Sequence, residues 1–162
     1  MIVITGREFE NLFFGRKLER GGEEQRPRFC TVPTAIAEAK KIQRSWFEWN
    51  PAVPRTRMAM SFFNAVRQAL PSSARKWLLL YCAVDTALDW HHDTDMFFTL
   101  HLPRRAGEGV VLVDLTLQSE KTLVSVDVYL SREHLESPQK LKTVGEYIAD
   151  LLMERAQRRK KL

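Results

Sequence analysis

Between residues 34 and 49 the apolar positions Ala35, Ile36, Ala39, Ile42 and Trp46 recur at helical spacing, while Lys40, Lys41 and Arg44 lie towards another side. That spacing predicts a helix with one stripe turned to a core. Thr34 is placed to cap it, and Asn50-Pro51-Ala52-Val53-Pro54 stops it, because proline cannot continue a helix. A second helix is predicted over 57–70, with Met60, Phe63, Val66 and Leu70 on one side. Pro71-Ser72-Ser73 separates it from a third predicted helix, 74–88, which is nearly all apolar from Trp77 to Val84 and so is expected to be the most buried. Three strands are then predicted over 94–102, 110–117 and 122–130. The last alternates Val124, Val126, Val128 and Leu130 with Ser125, Asp127 and Tyr129. The short connections between them predict an antiparallel meander. Ser137-Pro138 opens a closing helix with the core stripe Leu141, Val144, Ile148, Leu151 and Leu152.

The N-terminal stretch is less regular. Residues 2–4 fit a short strand, and Phe9, Leu12, Phe13 and Phe14 are apolar at mixed spacing and suited to packing on the core. Residues 15–28 are charged and hold Gly21-Gly22 and Pro27, which predicts an exposed loop. Together these elements predict an α+β fold in a single domain over 1–162: N-terminal helices, a central β-meander of at least three strands, and a closing C-terminal helix.

Composition changes this picture in few places. The 162 residues are 44% hydrophobic and 28% charged, near the averages for globular chains, and suffice for one domain with a core. No apolar run approaches the ~20 residues of a membrane span. Cys30 and Cys82 show no metal-ligand spacing, Cys82 reads as a core thiol in an apolar helical pattern, and a cytoplasmic protein without a disulfide is expected. The formal charge of +5 belongs to the C-terminus. Arg155, Arg158, Arg159, Lys160 and Lys161 form a basic tail over 155–162, and setting them aside leaves 20 Lys+Arg against 20 Asp+Glu. Such a tail attracts nucleic acid or other anionic surfaces, or simply suits the end of a helix, where cations oppose the macrodipole.

The candidate chemistry sits where the predicted third helix gives way to strands. Asp89, His91, His92, Asp93 and Asp95 crowd into seven residues, and Asp114 interrupts the apolar run 110–117. A carboxylate within such a run needs a partner, a metal or a proton. Asp95 at the start of one strand and Asp114 late in the next can converge at one edge of an antiparallel pair. There they would suit Mg²⁺ or Mn²⁺, which take one or two protein carboxylates and keep waters. Lys121 is a candidate for stabilising an anion or orienting a nucleophile. His92 with Asp95, or His91 with Asp89 or Asp93, is a second possible ligand set, for Zn²⁺ or Mn²⁺, and His92 is also a candidate general base. Asx turns in a helix-to-strand loop offer a purely structural account of the same aspartates.

Taken in order, Asp95, Asp114-Leu115-Thr116 and Lys121 resemble the PD-(D/E)XK nuclease-like superfamily over about residues 74–130. The resemblance implies a mixed sheet flanked by helices and metal-dependent phosphodiester cleavage. Asp95 would stand at the first acidic position, Asp114 at the second, and Lys121 would act from a displaced position, since Thr116 occupies the place of the family's lysine. No proline precedes Asp95, and 74–88 offers Asp85 where a glutamate is frequent. The alternative expectation is a non-catalytic protein of nuclease-like fold that binds a protein partner or self-associates. Trp46, Phe47 and Trp49 among Lys40, Lys41 and Arg44 suit either a stacking surface for single-stranded nucleic acid or a helix end with its aromatics in the core.

Overall fold

The computed structural model describes residues 5–15, 25–47, 49–104, 107–117 and 126–158, with 44–47 described for the backbone alone. The helices are α1 (Gly6–Phe14), α2 (Val32–Phe47), α3 (Arg57–Ala69), α4 (Ala87–His92), α5 (Arg132–Glu136) and α6 (Pro138–Gln157). The strands are β1 (Leu78–Cys82), β2 (Met96–His101), β3 (Glu108–Thr116) and β4 (Val128–Ser131), in the spatial order β1-β2-β3-β4. Helices precede and follow a central sheet, so the α+β arrangement expected from the sequence is the one observed. Among the described residues no helix is long and apolar enough to cross a membrane.

The helix boundaries follow local chemistry. Thr5 caps α1 through a reciprocal box with Glu8, and Gly15 ends it in the left-handed region (φ 74). Thr56 caps α3 by accepting from the Ala59 amide, and Ser137 caps α6 with Pro138 in its first turn. α2, α3 and α6 lie where the hydrophobic spacing put them, but α2 starts at Val32, so Thr34 stands in its first turn and does not cap it.

The predicted helix over 74–88 is instead a single 3₁₀ turn (Arg75–Trp77), then β1, then α4. Leu78 to Val84 is apolar at every position, and a continuous apolar run has no period by which to choose helix or strand. Pairing decides it: Leu78↔Leu100 through Cys82↔Met96 place β1 antiparallel to β2. The antiparallel meander is therefore β1-β2-β3, formed one strand earlier than predicted. Of the predicted strand 122–130, residues 122–125 lie outside the described residues, and the described part, β4, runs parallel to β3 (Val113↔Val128, Thr116↔Ser131) rather than antiparallel. The predicted strand 2–4 and residues 16–24 of the predicted loop also lie outside the described residues.

Helices cover both faces of the sheet. On one face Leu80, Phe98, Val111, Val113 and Leu130 pack with α1, α3 and α6, where Phe62 meets Phe98 edge-to-face at 5.2 Å. Burying one such phenyl ring contributes roughly 1.5–3 kcal/mol. On the other face Phe97 and Leu112 pack with Ala35 and Ala39 of α2 and with Ala87 and Leu88 of α4. α6 lies very close to its neighbours: a Cβ on Gly109 would stand 2.3 Å from the Leu152 carbonyl oxygen, and one on Gly145 would stand 2.7 Å from the Ala65 carbonyl.

The free edge of β1 is closed by side chains. Gln43 of α2, 1% exposed, donates through Nε2 to the Cys82 carbonyl (2.5 Å) and accepts at Oε1 from the Cys82 amide (3.0 Å). Its primary amide thus occupies the place of a neighbouring strand's peptide group. Beside it Trp49 Nε1 donates to the Leu80 carbonyl (2.8 Å), and the Leu80 amide donates to Pro51 O (2.9 Å). Trp49 is a core residue, 1% exposed, which settles its place among the two readings of the helix-end aromatics.

Candidate acidic site at the rim of the sheet

The turn that delivers Asp95 is built from short-range polar bonds. Thr86 caps α4 by accepting from the Leu88 amide (3.2 Å), and its hydroxyl donates to Ala83 O (2.6 Å). Asp85 and Asp93, on either side of α4, both adopt positive φ (65 and 49). Aspartate tolerates that region better than most side chains. Arg7 of α1 forks onto both oxygens of Asp85 (3.1 and 3.0 Å), and the Asp85 amide donates to Asp89 Oδ2 (2.8 Å). Thr94 then closes the helix end by donating to His92 O (3.0 Å).

Asp95 emerges from this turn already bonded to its neighbours at the end of the sheet. Its amide donates to Val113 O (3.0 Å), and its carbonyl accepts from the Ala83 amide (2.8 Å). The pairing of β2 with β3 runs to Met96↔Val113, so Asp95 and Asp114 each adjoin one residue of that final pair. The structure thus brings together the two carboxylates singled out from the sequence, near enough for the charge of Asp114 to act on Asp95. Both are buried, Asp95 at 4% and Asp114 at 6% exposure.

Asp95 accepts a hydrogen bond from the Leu115 amide at Oδ2 (2.7 Å). Burial nonetheless pushes its carboxyl well above the usual carboxylate range, and the negative charges of Asp89, Glu10 and Asp114 push it further, against the opposing pull of the Leu115 amide. The surroundings of Asp95 therefore favour a proton or an added positive charge.

The remaining candidates are arranged otherwise. His91 and His92 lie in the last turn of α4, and both turn to the chain just before α2. His91 Nε2 donates to Pro27 O (2.7 Å) and His92 Nε2 to Cys30 O (2.8 Å). Since a carbonyl can only accept, both rings carry the proton on Nε2, and His92 spends that nitrogen on Cys30. Thr116 is buried at 7% exposure, and Lys121 lies outside the described residues. Among the described residues no group of three or more His, Cys, Asp or Glu side chains is arranged to hold a metal ion.

The basic residues of the tail that are described, Arg155 and Arg158, are both engaged. Arg155 donates to Val110 O (2.6 Å) and forks onto both Asp127 oxygens (2.7 Å each), while Arg158 pairs with Glu154. Asp127 in turn accepts from the Leu112 amide (2.9 Å), and the Arg155 guanidinium, followed by that amide, outweighs burial and holds its carboxyl below the usual range. Arg155 is thus a bracket between α6 and the β3 edge. Arg159, Lys160 and Lys161 lie outside the described residues.

Sequence reasoning did not find Gln43, Arg7 or the Arg155–Asp127 bracket. Gln43 sat at a core-facing position of a helical stripe, a polar residue in an apolar place, and that was its only signal. Comparison with protein families, with curated proteins and with solved structures returns no match for this chain.

Proposed function

We propose that this protein is a metal-dependent phosphodiesterase of nuclease-like type acting on nucleic acid, with Asp95 and Asp114 as the carboxylates that hold Mg²⁺ or Mn²⁺. The observation that supports it is the two buried carboxylates at the end of the β2–β3 ladder, one of them also under the charges of two further acids, Asp89 and Glu10, with a rising demand for positive charge. Perturbed carboxyls of this kind gather at functional sites. The donor set fits a hard cation that takes one or two protein carboxylates and fills its remaining positions with water and phosphate oxygens. Such a cation, when bound, supplies a Lewis acid for a phosphoryl oxygen and a more acidic water. The chain's own part is to fix the ligands. The Leu115 amide orients the Asp95 carboxylate, and the final β2–β3 pair, Met96↔Val113, anchors the neighbouring Asp114. Lys121 remains the proposed source of positive charge beside the nucleophile. A cytoplasmic setting accords with Cys30 and Cys82, both free thiols.

A second reading keeps the nuclease-like architecture without the chemistry, as a protein that binds a protein partner or its own copy. Thr116 favours it, because a hydroxyl brings no positive charge to the place of the family's lysine. Thermal unfolding in EDTA, Mg²⁺ and Mn²⁺, on wild type and Asp114→Asn, separates the two. A cation bound only by the folded state raises the midpoint by mass action. A rise with Mg²⁺ or Mn²⁺ that Asp114→Asn abolishes, accompanied by cleavage of DNA or RNA, is expected. Unchanged midpoints and intact nucleic acid would leave the binding-protein reading standing.

A further inference from the structure

The segment just before α2 forms an unusual surface. Phe29 is 71% exposed, yet the chain that carries it is pinned on both sides, at Pro27 O by His91 and at Cys30 O by His92. Its ring rests on both imidazoles, edge-on to His91 (5.5 Å between centroids) and tilted over His92 (5.6 Å). An aromatic ring with so much free surface ordinarily turns inward or moves. Here one side is seated and the rest is presented to solvent in a fixed pose, so little further ordering is needed for a planar group to stack on it.

Cations share the short segment that carries this ring. Arg26 is exposed and lies over the Trp90 ring at 5.6 Å, and Arg28 is exposed with no ion pair among the described residues. Glu38 near Cys30 and Asp93 at the end of α4 are the acids at the border. The surface is therefore mildly basic, centred on an aromatic face, and not a uniform cationic field. An apolar protein partner would be served poorly by two exposed arginines in the same short segment. A flexible strand that offers a base to the ring and phosphates to the arginines is served well.

We propose that Phe29, with Arg26 and Arg28, is a stacking platform for one unpaired base of a single-stranded nucleic acid. The inference deepens the nuclease reading and depends on it only for the link to cleavage. His92 precedes Asp95 by three residues, so their Cα atoms lie within about 11 Å of one another. A strand stacked on Phe29 would pass close to the acidic rim. Duplex bases are already stacked and paired, so the platform discriminates against double-stranded ligands.

The test measures binding without cleavage. Fluorescence polarisation in EDTA, with a labelled oligothymidylate of about 12 nucleotides and a duplex of equal length, suits the site sizes known for such platforms. Wild type is expected to prefer the single strand. Phe29→Ala should weaken binding on the order of tenfold or more, while Phe29→Trp retains it, since stacking energy follows the aromatic face. Arg28→Gln should reduce the slope of log affinity against log salt by about 0.7, the release expected per phosphate contact on a single strand. Phe29 is exposed, so an unchanged unfolding midpoint certifies each variant. Equal binding by Phe29→Ala, preference for duplex, or no binding by wild type would each overturn the platform. Asp114→Asn, which retains the platform, should bind as wild type does in EDTA. Loss of Mg²⁺-dependent cleavage in that variant with binding intact separates the two proposals, and so does cleavage that survives Phe29→Ala with unaltered affinity.

Discussion

The carboxyl of Asp95 serves the fold in two opposing ways, and paired substitutions separate them. Its Oδ2 accepts from the Leu115 amide at 2.7 Å in a site where Asp95 is 4% exposed. Asp95→Ala removes that acceptor and strands a buried amide, which costs roughly 1–3 kcal/mol. Asp95→Asn keeps an oxygen in the same place and removes the charge. The two variants should therefore differ by about 1–3 kcal/mol. For a chain of this size that corresponds to roughly 2–12 °C in Tm. The pH dependence supplies the second half. The folded-state pKa of Asp95 is raised, so the native state binds more protons than the unfolded chain between the ordinary carboxylate range and the raised value. Its stabilising contribution is complete below about pH 3.9 and declines as pH rises through the folded pKa. Asp95→Asn lacks this decline, so its stability relative to wild type should improve steadily towards neutral and alkaline pH. Urea unfolding of the three proteins across pH, without divalent cations, measures both effects. Equal stability of the Ala and Asn variants would refute the hydrogen-bond argument. A constant Asn-minus-wild-type difference across pH would refute the charge argument.

Three further outcomes follow from the packing. Gln43→Ala leaves the Cys82 amide and carbonyl at the β1 edge without their side-chain partner, and chemical denaturation should show a loss of about 2–4 kcal/mol, with Gln43→Glu no better because it cannot donate to the carbonyl. A double-mutant cycle between Arg155→Met and Asp127→Asn should return a coupling of about 1–3 kcal/mol at neutral pH. Because the Asp127 pKa is lowered in the folded state, that coupling is present above about pH 3.9 and fades as pH falls through the folded pKa. Gly109→Ala forces a methyl group to within 2.3 Å of the Leu152 carbonyl oxygen, so α6 must lift from β3, and calorimetry should register a loss of about 1–3 kcal/mol or more.

Much of the layout is determined by local sequence. The spacing of Ala35, Ile36 and Ala39, of Met60, Phe63 and Val66, and of Leu141, Val144 and Ile148 requires a helix, because only a 3.6-residue period puts those side chains on one stripe. Thr56, Ser137 and Pro138 mark helix starts because their local bonding fits those positions regardless of what surrounds them. The setting of Asp114 was legible for a similar reason: an aspartate within an apolar run is carried into the interior with it, and Asp114 is buried, as is Asp95.

What the sequence left open depended on partners far along the chain. Leu78 to Cys82 carries no period, and only the presence of β2 alongside made it a strand. The direction of β4 was likewise a matter of pairing, since the same alternation serves a parallel or an antiparallel neighbour. Gln43 became the closing piece of an edge because Cys82, 39 residues away, offered an amide and a carbonyl at the right spacing. His91 and His92 were drawn from the acid pair to the Pro27 and Cys30 carbonyls, and in that position they fixed Phe29 in the open. Helical period and capping act over one or two turns and can be read from neighbours in sequence. Strand pairing, buried hydrogen bonds and the set of a surface ring are contacts between distant residues, and those are decided only when the chain is folded.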